Sequence, residues 1–116
     1  MSRALVQAAA ALICAVQTFG AAIEGQAADS EVVRVIFRDH QFHPTVVVAK
    51  PGQKVLFVNQ DPDLHSIVVP HVLEETFVDP GTSLMMVVPD GAKPGDYPLA
   101  CTIHVDMTGT LHVVGR

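Results

Sequence analysis

Thr45-Val46-Val47-Val48-Ala49-Lys50-Pro51-Gly52-Gln53-Lys54-Val55-Leu56-Phe57-Val58-Asn59-Gln60-Asp61-Pro62-Asp63-Leu64-His65-Ser66-Ile67-Val68-Val69-Pro70 is the stretch that decides the fold. It holds a β-branched run, a Lys-Pro-Gly stop, an apolar run, an acidic proline turn and another β-branched run halted by proline. Short β-branched runs between turn residues read as strands. The middle run, Lys54–Asn59, is apolar on both faces and is predicted to lie inside a sheet. Upstream, Val33, Val35 and Phe37 alternate with Arg34, Ile36 and Arg38, the period of a half-buried strand. Downstream, Asp79-Pro80-Gly81 is a turn, Thr82 to Val88 a strand and Pro89 to Asp96 a loop. Tyr97 to Cys101 reads as extended, with Pro98 confining it to an edge or a bulge, and Gly109 to Val114 as the last strand. His71 to Asp79 reads as a short helical turn or an irregular connection. About seven strands without helical periodicity predict an all-β, antiparallel β-sandwich.

The chain has 116 residues, which allows one domain. Residues 1–27 are expected to stand outside it as a signal peptide. Arg3 supplies the positive start, Ala4 to Ala22 is uncharged and rich in Ala, Leu and Val, and Gly25-Gln26-Ala27 offers small residues for cleavage. The competing reading is an uncleaved N-terminal anchor. Ile13, ahead of Cys14, is too large for a lipoprotein cleavage site. Losing Arg3 and Glu24 leaves the formal net charge at −5. An acidic domain of this kind argues against nucleic acid and anionic membrane as partners and favours a basic docking partner.

Without Cys14, the domain over residues 28–116 has one cysteine, Cys101. A single thiol in an oxidising compartment has to be buried, joined to another chain or occupied by a metal. Its neighbours decide among these. Cys101-Thr102-Ile103-His104-Val105-Asp106-Met107 places a thiolate, an imidazole and a thioether at C-x-x-H-x-x-M spacing. Soft sulfur with imidazole favours copper, and a second imidazole would complete two nitrogens and a thiolate with a weak axial Met. His65 is the candidate for that imidazole. Zinc is disfavoured by the thioether. His112 reads as a surface residue, His40 and His43 flank Phe42 near a strand end and are not expected to hold metal, Asp61 and Asp63 read as solvated turn acids, and Met85-Met86 as strand packing. His71 is the accessory donor to test.

Phe42-x-Pro44, Val46-x-Val48, Gly52-x-x-Val55-x-Phe57-x-Asn59, His65, Pro80-Gly81, Pro94-Gly95-x-Tyr97 and Cys101-x-x-His104-x-x-Met107-x-Gly109 together resemble the cupredoxins, the small type 1 blue copper proteins. The resemblance runs from about Val33 to Val114, and the short copper loop looks most like that of amicyanin. It implies a Greek-key cupredoxin sandwich with one copper ion held by His65, Cys101, His104 and Met107. It further implies a monomeric periplasmic one-electron carrier that docks transiently with a cytochrome or oxidoreductase. His104 would be the exit for the electron, within an apolar patch that includes Ile103 and Val105. The alternative is copper binding and delivery, supported in sequence by an outward Met and His71. Enzyme chemistry is not expected, because multicopper centres place a His beside the Cys and dinuclear ones need a second Cys. Two departures stand out. Ile103 replaces a proline common in relatives, so its N–H is expected to hydrogen-bond the Cys101 sulfur. Ser66 replaces an Asn that braces the loop, and its hydroxyl is the expected substitute.

Overall fold

Lys54–Asn59 (β4) lies between two other strands, as its two apolar faces require. In the computed structural model, which describes residues 31–115, β4 pairs with Val33–Arg38 (β1) on one side and Ser83–Val87 (β7) on the other. Gln41–His43 (β2) extends this sheet beyond β1, giving the order β2-β1-β4-β7. The second sheet contains Val46–Ala49 (β3), His65–Val69 (β5), Leu73–Val78 (β6), Gly95–Ala100 (β8) and Thr108–Val113 (β9), in the order β3-β9-β8-β5-β6. No helix occurs among the described residues. The expected leader, residues 1–27, lies outside them.

The sandwich core follows from alternation on the two inner faces. Val35, Phe37, Val55 and Phe57 come from the first sheet, and Val47, Ile67, Val69, Leu99, Leu111 and Val113 from the second; all are buried. Each contributes roughly 1.5–3 kcal/mol by leaving water. Phe37 is the centre of an aromatic group, edge-on to Phe42 at 5.2 Å and 5.8 Å from Phe57. It also meets the His65 ring edge-on at 5.8 Å, so the apolar core runs directly up to that imidazole.

Three features correct or refine the sequence reading. The sheets are mixed rather than wholly antiparallel, because β1 with β4 and β3 with β9 run parallel. Parallel neighbours need a crossover, and β2 and β3 supply it between β1 and β4. The stretch after His71 is a strand, β6, not a helical turn. Its pairing with β5 shifts register between Ile67 and Val69, and that irregularity spoils the period-two pattern. The short strand β2 is reached through a turn at Asp39 and His40, whose φ values are 56° and 57°. Two successive positive φ angles make the type I′ hairpin turn, which asparagine and glycine normally announce.

Pro98 behaves as its chemistry demands. Along β8 every residue from Gly95 to Ala100 pairs with β9, but β5 meets β8 only at Ala100. Pro98 thus sits where the strand has one neighbour. Gly109 is required by a close approach: a Cβ there would lie 2.6 Å from the Thr45 carbonyl oxygen, which also accepts the Thr110 N–H at 2.8 Å. This contact fixes where the chain re-enters the sheet after the loop that carries Cys101 and His104.

Candidate metal centre

His65 opens β5, and Cys101 follows the last residue of β8, so neighbouring strands of one sheet deliver both to the same end of the sandwich. The loop from Cys101 to Met107 then turns back into β9. Two backbone bonds close it tightly: Cys101 N–H donates to the Met107 carbonyl at 3.1 Å, and Met107 N–H to that of His104 at 2.9 Å. The closure brings His104 Nδ1 to 3.1 Å from His65 Nδ1 and 3.5 Å from Cys101 Sγ, with His65 Nδ1 3.9 Å from the same sulfur. The three donor atoms lie within 4.8 Å of one another. Met107 is buried at the loop's end, within the apolar core.

The tautomer of His65 follows from its hydrogen-bond partners. Its Nε2 is 2.7 Å from Asp61 Oδ2, and both side chains are buried. A carboxylate accepts, so Nε2 carries the hydrogen and Nδ1 presents its lone pair to His104 and Cys101. A lone pair, a second imidazole and a sulfur converging at these distances call for a cation or a proton among them. A soft thiolate with two imidazoles fits copper.

Asp61 is expected from sequence to be a solvated turn acid, and here the structure differs: it is only 7% exposed. Burial pushes its carboxyl up, but hydrogen bonds from the His40 N–H, the His65 ring and the Asp39 N–H outweigh this and hold it below the ordinary carboxylate range. The Asp39 and His40 bonds are 2.7 and 2.9 Å long. Asn59 supports this turn from within. Its Oδ1 accepts the Asp61 N–H, and its Nδ2 donates to the carbonyls of Asp63 and Val78. The only hint in the sequence was a carboxylate four residues ahead of the candidate ligand.

On the sulfur side, Ser66 does the work assigned in sequence to two residues. Its backbone N–H points to Cys101 Sγ at 3.3 Å and its hydroxyl lies 3.7 Å from the same atom. Among the described hydrogen bonds, the backbone and hydroxyl donors to this sulfur come from Ser66, and none comes from Ile103. The hydroxyl also accepts the Thr102 N–H at 2.8 Å, bracing the loop, and meets Thr102 Oγ1 at 2.8 Å. Thr102 Oγ1 donates in turn to Glu75 on β6. The brace expected of Ser66 is therefore present.

The remaining histidines divide. His112 pairs with Asp96 at 2.6 Å on the surface, and His43 Nε2 meets the Arg38 carbonyl at 3.0 Å. His71 comes after Val69, the far end of β5, and that end is itself about 13 Å from His65 at ~3.3 Å per strand residue. His40 is the one that the sequence undervalues. Its ring lies 4.3 Å from that of His104 and 5.3 Å from that of His65. The outer rim is apolar, with Ile103 47% and Val105 86% exposed on either side of His104.

The family model of the cupredoxin-like domain matches residues 6–113. The chain belongs to that family. It is 33% identical over 92 residues to the methylamine utilization protein MauL of Methylobacillus flagellatus, covering 72% of this chain and 59% of that protein. The chain thus spans less than two thirds of the length of that relative. Among solved structures it is similar to a reduced amicyanin variant (TM-score 0.61, 19% identity, 71% of this chain and 81% of that one). A Cu(I) amicyanin variant matches over the same shares, with TM-score 0.61 and 17% identity. At these identities the likeness establishes the cupredoxin sandwich.

Proposed function

We propose that this cupredoxin is an exported, monomeric one-electron carrier of the periplasm, with residues 1–27 as its leader and His65, Cys101, His104 and Met107 as ligands to one copper ion. The observation that carries the reading is the convergence of His65 Nδ1, His104 Nδ1 and Cys101 Sγ within 4.8 Å, with the opposite nitrogen of His65 held by Asp61. Copper bound there supplies a Cu(I)/Cu(II) couple. The residues around it supply stillness. Asp61 fixes the tilt of the His65 ring, Ser66 fixes the sulfur, and the two backbone bonds across the loop fix His104. Donors held this firmly change position little between oxidation states, which keeps the cost of moving an electron small.

The partially exposed His104 between Ile103 and Val105 offers a partner a short route to the centre. A small apolar contact suits an encounter with a cytochrome or oxidoreductase that has to dissociate quickly. The name of the MauL relative points to methylamine utilization as one setting for such a carrier. No catalytic group is assigned, and the protein is read as a carrier rather than an enzyme. The test is to add Cu(II) to the metal-free protein. An intense visible thiolate-to-copper band is expected, absent in Cys101→Ser; a colourless wild type overturns the reading.

One observation favours a second reading, copper delivery: an exposed imidazole–carboxylate pair, His40 with Asp63, lies against His104. Met85 and His71, its support in sequence, are elsewhere. Copper retained through repeated oxidation and reduction supports the carrier; ready transfer to a metal-free acceptor supports delivery.

A further inference from the structure

Next to the buried donor set is another that opens to solvent. His40 Nε2 meets Asp63 Oδ2 at 2.7 Å, with the two side chains 48% and 54% exposed. The His40 ring lies 4.3 Å from the ring of His104, 37° from parallel. His40, Asp63 and His104 bring one donor atom each to within 4.8 Å of the others. A surface cavity of about 410 Å³ opens between the β1–β2 turn and the metal loop, with Asp39, His40, His104, Asp106 and Met107 in its wall.

The turn that carries His40 is built, not loose. Asp39 and His40 both have positive φ, and Asp61 accepts both of their N–H groups. The same carboxylate holds His65. An exposed ion pair adds little to stability, so stability alone does not account for a third imidazole set against His104. The donors here are two imidazoles and a carboxylate, without sulfur. Such a set suits a divalent transition ion, Cu(II) or Zn(II), better than Cu(I). Asp39, Asp63 and Asp106 add negative potential at the opening, which draws cations to it.

We propose that His40, Asp63 and His104 form a capture site for a divalent transition ion, through which metal reaches the buried donors. The proposal rests on reading His65, Cys101 and His104 as a metal set, and it adds a way in. His104 belongs to both sets. In the transfer, His40 and Asp63 let go while His65 Nδ1 and Cys101 Sγ take their places. The Cys101 thiol proton leaves to water as the sulfur binds. No electron changes hands in this step.

Two measurements test it. In the first, metal-free protein is mixed rapidly with Cu(II) and the growth of the visible band is timed. His40→Gln and Asp63→Asn are each expected to slow it about tenfold, the scale at which lost supporting contacts weaken metal binding. In the second, Cys101→Ser is titrated with Zn(II) by calorimetry. One ion per chain is expected, bound about tenfold more weakly when His40→Gln or Asp63→Asn is added. If His40→Gln loses its thermal transition, Asp63→Asn carries the comparison. Unchanged loading rates and Zn(II) affinities overturn the capture site, even where the blue band forms and the carrier reading stands. A wild type without the band, whose Cys101→Ser form still binds Zn(II) through His40 and Asp63, overturns the buried copper site and leaves the exposed one.

Discussion

The two imidazoles that face Cys101 are held by different means. His65 starts a strand, is fully buried, and leans on a carboxylate that is itself gripped by two backbone N–H groups. His104 sits on a loop, is partly exposed, and is positioned by backbone closure, the Ser66–Thr102–Glu75 hydroxyl chain beside it and the His40 ring. The contrast separates two duties. On the function proposed above, the deep imidazole would set the geometry and the outer one would meet the incoming metal and the partner. Rigidity is concentrated where nothing has to pass.

The contrast can be broken most severely from the deep side. Asp61→Ala leaves two backbone N–H groups and the His65 ring without their acceptor, and is expected to cost about 1–3 kcal/mol for each donor that stays buried and unpaired. Urea denaturation of the metal-free protein measures it. The same carboxylate sets a pH dependence. Because its folded pKa is depressed, the stability it adds is present above ~3.9, the ordinary Asp value, and is lost as pH falls from there through the folded value. Asp61→Asn should flatten that acid limb in thermal melts taken from neutral to low pH. On the sulfur side the effect is smaller. Ser66→Ala removes the acceptor of the Thr102 N–H and one donor to the sulfur, for about 1–3 kcal/mol, and lowers the reduction potential of the copper-loaded protein by leaving the thiolate a stronger donor. An unchanged potential in voltammetry would mean that the backbone N–H of Ser66 suffices. Smallest of all, His112→Ala removes a surface pair far from the centre and should shift stability by at most about 1 kcal/mol, leaving the visible band as it was.

What the sequence disclosed and what it withheld follow the same division. The meeting of Cys101 with His104 was legible because C-x-x-H is local: one short turn joins them. The central strands of the first sheet, β1 and β4, were legible because Val35 and Phe37, and Val55 and Phe57, alternate at the period of a pleat. β6 was hidden by a register shift against β5, which no count of alternating residues detects. The β1–β2 turn was hidden because Asp39-His40 is held in its left-handed shape by Asp61, more than twenty residues away. Whether Asp61 was a solvated acid or the anchor of His65 depended on that turn folding over it. His40 was undervalued for the same reason, since its place beside His104 is a tertiary fact.

The grip of one carboxylate on both a hairpin and an imidazole makes correct assembly a condition of ion choice. Asp61 follows a strand of one sheet, the hairpin belongs to that sheet, and His65 begins a strand of the other. A chain that has formed only the second sheet carries all three donors but lacks the carboxylate that aims the His65 ring. On the proposed copper reading, an unfinished molecule would therefore hold metal weakly, and only the completed architecture would discriminate among ions.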